Sequence, residues 1–182
     1  MTELDRLGAT DPEALVGSNK VMNVVVAGIG GQGAIKASDI LADAAFRAGL
    51  DVKKAEIHGM SQRGGSVSSD VRFGEKVLSP MVPPGEADFL LVLSPSEVEV
   101  NRPSLRPGGV LIAPDFIEEK SLPTKRSLNV ALLGALSHCL ALPASAWAAA
   151  LEAALPDVHG LNRAAFELGR ATAQAKGLPR AS

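Results

Sequence analysis

Residues 22 to 27, MNVVVA, form a short apolar run that stops at GIGGQG. The AIKASDILADAAFRAG segment that follows sets Ile35, Ile40, Leu41, Ala44 and Ala45 near helical spacing, which predicts a strand, a tight turn and a helix in that order. Gly49 is placed to close the helix and VKKAEI to begin a second strand, the start of a parallel βαβ unit. SVSSDVRF alternates, with Val67, Val71 and Phe73 among polar residues, as a strand with one solvated face does. Only a loop separates it from the second strand, so it must run antiparallel to its neighbour or leave the sheet locally. SPMVPPGEAD, with its prolines and glycine, reads as a connecting loop, and DFLLVLS as a strand buried on both faces. PSEVEVNR is then a short helix or turn, and in RPGGVLIAP a Pro-Gly-Gly turn leads into a buried strand from Val110 to Ala113. Three alanine- and leucine-rich helical stretches, LNVALLGALSHCLAL, ASAWAAALEAAL and NRAAFELGRATAQA, follow and are expected to cover the sheet. The pattern as a whole predicts an α/β fold: one open, mostly parallel sheet flanked by helices in three layers, as in Rossmann-like domains.

A chain of 182 residues suits one domain, read here as residues 21–178 behind a polar and partly disordered leader over residues 1–20. No apolar run is long enough for a membrane span and the start lacks the features of a secretory signal, so a cytoplasmic location is expected. The formal net charge of −2 gives no long-range attraction for a polyanion, and aromatics at 3% leave little from which to build a stacking platform, which argues against nucleic acid. Cys139 is the single cysteine, so this chain's thiolates build no disulfide, zinc site or iron–sulfur cluster. Any redox centre must come from elsewhere.

Candidate chemistry collects in two glycine-rich stretches. Gly28, Gly30 and Gly33 satisfy G-x-G-x-x-G between a strand and a helix, where backbone N–H groups meet an anion, and Glu56 follows near the end of the second strand. A nucleotide-binding oxidoreductase using NAD(P) is therefore one reading. Against it stand the extra Gly31, the polar Gln32, and the charged loop from His58 to Gly65 that would crowd a ribose site at Glu56. In that loop Arg63 is followed by Gly64 and Gly65, so a guanidinium and bare N–H groups can reach a carboxylate or phosphate without obstruction. His58 would add a proton donor or acceptor, and Ser61, Gln62 and Ser66 would orient a polar group. The plainer alternative is that Glu56 pairs with Arg63, or that both fix the loop against a partner. Cys139 reads as a packed core thiol, His138 as a position facing solvent, His159 as a loop residue, and Trp147 as a packing or subunit-contact anchor. The serines of SVSSDV have no evident base and read as the wet face of a strand.

GIGGQG, EIHGMSQRGGSVSSDVRFG and LNVALLGAL together resemble the gamma subunit or domain of the 2-oxoacid:ferredoxin oxidoreductases, most of all the small beta subunit of the indolepyruvate enzymes. The resemblance runs from about Met22 to Gly169 and implies an open α/β sheet flanked by helices. It further implies a place in a hetero-oligomer in which a 2-oxoacid is decarboxylated on thiamine diphosphate, electrons pass through iron–sulfur clusters to ferredoxin, and an acyl group reaches coenzyme A. Thiamine and clusters would belong to a larger subunit, with this chain shaping the entrance and the coenzyme A approach. Arg63 and His58 become the catalytic candidates. Gly28, Gly30, Gly31, Gln32, Gly33, Glu56, Gly64, Gly65 and Ser66 become the cofactor-binding ones. Family members usually place another strand and helix where this chain has only DFIEEKSLPTKRS, which predicts a sheet one strand narrower. A third possibility is a pure assembly module, and an exposed docking surface would let the isolated chain form a homodimer.

Overall fold

The first apolar run becomes β1 (Met22–Ile29), buried along most of its length because it lies at the centre of the sheet. The structure, a computed structural model, describes residues 20–59, 64–156 and 160–181. After β1 come α1 (Ala34–Arg47), β2 (Asp51–His58), β3 (Ser66–Gly74), β4 (Ala87–Val92), the short α2 (Val98–Asn101), β5 (Leu105–Ile112), α3 (Leu128–Cys139), α4 (Ala144–Ala154) and α5 (Leu161–Ala175). Gly49, at φ +85°, closes α1 in the left-handed conformation, with Leu50 N–H donating back to Ala45 O.

The strand order is β2-β3-β1-β4-β5. β1 pairs in parallel with β4, and β4 with β5, whereas β3 runs antiparallel to both β1 and β2. Four strands thus point one way, and the sheet is open and mixed. The sequence left β3 two options; the structure takes the antiparallel one and inserts β3 between β2 and β1, because the loop over residues 59–65 is too short to carry a crossover.

The two faces of the sheet are covered unequally. Val24, Val26, Val71, Phe73, Phe89 and Leu91 join the large core built with α1 and α3, while Val25, Leu90 and Val92 form a small cluster with Val82, Ala87 and Val98 of α2. The third layer expected from the sequence is therefore thin: α2 and the irregular stretch over residues 75–86. Polar straps hold that stretch down. Val77 N–H donates to Asp51 Oδ2 at 2.8 Å, Val82 N–H to Asp70 Oδ2 at 2.9 Å, and Arg72 donates to Ser79 O and Met81 O. Burial pushes the Asp70 carboxyl above its usual range.

The C-terminal helices do not all lie on the sheet. α3 does, α5 packs on α3, and α4 packs on α1, with the Trp147 and Phe166 rings 5.6 Å apart between α4 and α5. Gly134 faces the Phe166 backbone and Gly169 faces the Ala131 backbone so closely that neither position has room for a Cβ. Trp147 is buried, which makes it a packing anchor of this domain.

Three local expectations need correction. β5 begins at Leu105, so Pro-Gly-Gly lies within the strand, and Val110 and Leu111 are only partly buried; β5 is an outer strand, where a proline is tolerated. Ser69 is not on a wet face but fully buried, with no hydrogen-bond partner for its Oγ among the described residues. His138 is half-buried rather than solvent-facing. The segment over residues 113–127 holds single 3-10 turns and no strand, as its composition predicts.

Cys139 is fully buried, and burial pushes its thiol up to about 11. A thiol reagent at pH 8 is expected to leave the folded chain unlabelled and to react with one equivalent once denaturant is added. Rapid labelling without denaturant would contradict this packing.

Candidate functional site

Two loops far apart in sequence meet at the end of the sheet where β1 and β4 terminate. β1 runs into a turn in which Gly31 and Gly33 take φ of +91° and +88°, and Gly33 is the N-cap of α1. Gln32, the residue that fits a dinucleotide turn poorly, has a structural task here: its N–H donates to Ile29 O, and its Oε1 accepts from Ile29 N–H at 2.9 Å. The amide side chain ties the turn to the strand it leaves. Gly28 sits where a Cβ would lie 3.2 Å from Leu93 Cβ, so the turn presses against the end of β4.

The second loop joins β2 to β3. Gly59 N–H donates to Ser66 O at 2.8 Å and closes its neck, and Gly30 N–H donates to Gly65 O at 2.9 Å, joining the two loops directly. Ser66 Oγ donates to Glu97 Oε2 at 2.6 Å, and Asn101 Nδ2 donates to the same carboxylate oxygen at 3.3 Å. Glu97 is buried and lies just after β4, beside the Ser94–Ser96 hydroxyl pair. From the other side, Asn129 in the first turn of α3 brings its Nδ2 against Gly33.

From β1 the chain crosses through α1 toward β2, and from β4 it crosses through α2 toward β5, in opposite directions along the sheet. The crevice outside the carboxyl ends of two such strands is where open α/β sheets bind ligands. At that end stand the first N–H groups of α1, which have no partner within the helix, the glycine backbone of the two joined loops, the Ser66 hydroxyl and the Asn129 amide. The first turn of α1 contains no acidic residue. The arrangement suits an anionic or strongly polar group.

The structure thus brings together Gly28, Gly30, Gly31, Gln32, Gly33, Gly64, Gly65 and Ser66. It does not bring in Glu56. Because β3 is inserted, Glu56 on β2 stands two strand spacings from β1, roughly 10 Å, where a dinucleotide fold needs it one spacing away. Its carboxylate is also occupied: Lys54 Nζ donates to Oε1 at 2.6 Å and holds the Glu56 carboxyl below its usual range, and His58 Nε2 lies 3.3 Å from Oε2. Lys54 also pairs with Asp39 of α1. His58 is exposed at the end of β2, turned to Glu56 rather than to the crevice. Arg63, Ser61, Gln62 and His159 lie outside the described residues.

Sequence reasoning missed Glu97, Ser94 and Asn129. The signal for the first two was their position immediately after a fully apolar strand, the place where a parallel sheet presents its site. Among the described residues no three of His, Cys, Asp and Glu lie close enough to hold a metal ion, and no helix is long and apolar enough to cross a membrane.

An open, mixed five-stranded sheet flanked by helices, with a glycine turn at the carboxyl end of its central strand β1, defines an α/β domain related to the doubly wound class. The chain belongs to the pyruvate ferredoxin/flavodoxin oxidoreductase family, whose model matches residues 23–123 and so takes in both glycine loops. It is 55% identical over 76 residues to the indolepyruvate oxidoreductase subunit IorB of Archaeoglobus fulgidus, and 48% identical over 92 residues to that of Thermococcus kodakarensis. The first match covers 42% of this chain and 37% of the relative, the second 50% and 46%, so each spans less than half of the curated relative. Among solved structures, the keto/oxoacid ferredoxin oxidoreductase gamma subunit of Geobacter sulfurreducens aligns with a TM-score of 0.72 at 25% identity, covering 85% of this chain and 99% of that one. The 2-oxoglutarate:ferredoxin oxidoreductase of Magnetococcus marinus, solved with 2-oxoglutarate, coenzyme A and succinyl-CoA bound, aligns at 0.77 and 25% identity over 91% of this chain and 32% of its own.

Proposed function

We propose that this chain is the gamma-type subunit of a cytoplasmic 2-oxoacid:ferredoxin oxidoreductase of the indolepyruvate or arylpyruvate type, with residues 21–178 as its catalytic-complex domain. The complex would decarboxylate the 2-oxoacid oxidatively, pass the electrons to ferredoxin and release the acyl group as its coenzyme A thioester. The observation that carries the reading is the hydrogen bond from Gly30 N–H to Gly65 O, which makes one surface of the two loops on which the family likeness rests. Thiamine diphosphate and iron–sulfur clusters, supplied by a larger partner subunit, would provide the carbanion and electron-transfer chemistry.

This chain's own residues bind and orient. The N–H groups at the start of α1 and around Gly31 and Gly33 would take a phosphate of coenzyme A, and Gly64 and Gly65 leave space for Arg63 to meet a second phosphate or the substrate carboxylate. Glu97 holds Ser66 and thereby fixes the neck of the loop that carries Arg63. Glu56 and His58 brace β2 against α1 through Lys54 and Asp39 and have no direct part.

The test is co-expression with the candidate larger subunit. Purification of this chain is expected to bring down a partner containing thiamine and iron–sulfur clusters, and the complex should reduce ferredoxin when given indolepyruvate and coenzyme A. Arg63→Ala should weaken coenzyme A binding by roughly tenfold, the worth of one charged hydrogen bond. Tight NAD(H) binding by the chain alone, with substrate oxidation, would overturn the proposal. Unchanged turnover and unchanged coenzyme A binding in the Arg63→Ala complex would instead favour an assembly role.

A further inference from the structure

At the far end of α3 from Asn129, the chain turns through residues 140–143 into α4, and the C-terminal residues return to the same corner, where Ala181 N–H donates to Cys139 O at 2.7 Å. A cavity of about 200 Å³ opens between them. His138 from α3, Ala144 from the start of α4, Arg170 from α5 and Arg180 from the tail all line it, and among the described residues no acidic one does. Among the described residues Arg47, Arg102 and Arg106 each pair with a carboxylate; Arg170 and Arg180 pair with none. The nearby acids Glu152 and Glu167 line the adjoining groove between α4 and α5, which shares Arg170 and Ala144 with this cavity. Two like charges facing one small space repel, and among the described residues no carboxylate pairs with either.

We propose that this cavity is a binding site for a phosphate group, held by the Arg170 and Arg180 guanidinium groups with the His138 imidazole beside them. Two fixed positive charges match a phosphate, which carries about −1.5 to −2 near neutral pH, better than a carboxylate with its single charge. Guanidinium forks also suit the several oxygens of a tetrahedral anion. The open N–H groups at the start of α4 add to the same potential. His138 supports the placement: its imidazole is pushed below the usual range, first by burial and then by the charges of Arg180 and Arg170, against a hydrogen bond to the Leu178 backbone that favours its charged form. The imidazole therefore lies within the field of both guanidinium groups. The site does not depend on the oxidoreductase reading, since it uses none of the residues at the glycine loops.

The ligand is either the free ion or the phosphate of an ester, and one titration separates them. The full chain has three histidines, and the His138 ring signals are assigned by comparison with His138→Gln. Inorganic phosphate, glycerol phosphate and chloride are added in turn at equal ionic strength. A bound dianion offsets the two guanidinium charges, so the His138 pKa is expected to rise by about one unit in phosphate relative to chloride. A response to inorganic phosphate alone assigns the free ion, and a stronger response to glycerol phosphate assigns an ester; either supports the site. Arg180→Gln, on the exposed tail, and the Arg170→Gln/Arg180→Gln pair should abolish the response. An identical His138 titration in phosphate and chloride, or a shift that survives the double substitution, overturns the proposal.

Discussion

Gly169→Ala is expected to be the most destabilising single-methyl change in this chain. The added Cβ would coincide with the Ala131 carbonyl of α3, and Gly134 stands in the same relation to the Phe166 backbone, so the contact is reciprocal. Glycine inside a helix costs about 1 kcal/mol relative to alanine, and two such positions facing each other are tolerated only because they let α3 and α5 approach backbone to backbone. An alanine would recover that helix propensity and yet force the helices apart, which exposes part of the core around Leu132, Leu136 and Phe166. A net loss of about 3 kcal/mol is expected, lowering Tm by roughly 6–12 °C for a domain of this size. A melting curve superimposable on that of the parent chain would show that the helices are not in backbone contact.

At the glycine loops the largest expected effect is functional. Gly33→Ala meets two penalties: alanine is strained at φ +88°, and its methyl group would run into Asn129 Nδ2. Gly31→Ala meets only the first, because φ there is +91° and no atom lies within 4 Å of a built Cβ. The pair separates backbone strain from the contact with α3. Gly33→Ala is expected to displace the start of α1 and reduce turnover of the assembled complex on the order of a hundredfold, the scale of loss when a binding group moves by an ångström. Gly31→Ala should cost much less. Equal losses in steady-state turnover would mean that Asn129 has no part in positioning the turn.

Much of this architecture was legible because the decisive positions obey simple periodicities. MNVVVA and DFLLVLS read as strands because their apolar runs are interrupted only near the ends, by Asn23, Asp88 and Ser94, and α1 declared itself through Ile40, Leu41, Ala44 and Ala45. The loop length after β2 was enough to exclude a parallel neighbour, leaving a reversed strand or one outside the sheet. It was not enough to say where that strand goes, because insertion between β2 and β1 depends on long-range pairing that no local pattern records. That one unreadable choice moved Glu56 away from the turn. Ser69 was misread because its polarity was given more weight than its parity: it stands on the same face of β3 as Val67, Val71 and Phe73, and helix α1 covers that face and buries the serine with them. Of the site, the glycines were visible from spacing, whereas Glu97 and Asn129 enter through tertiary contact. An Asn opening a helix or a Glu following a strand has no distinctive neighbourhood in one dimension.

The inserted strand has one further implication, for engineering. In most doubly wound proteins, cofactor preference can be redesigned by exchanging the acidic side chain that faces the first turn. In this fold that handle is out of reach, since an entire hairpin arm occupies the place where an adenosine sugar would sit. Converting the domain to dinucleotide use would demand excision of β3 and re-pairing of β2 with β1, so ligand choice is written in the wiring of the sheet and resists change by point substitution.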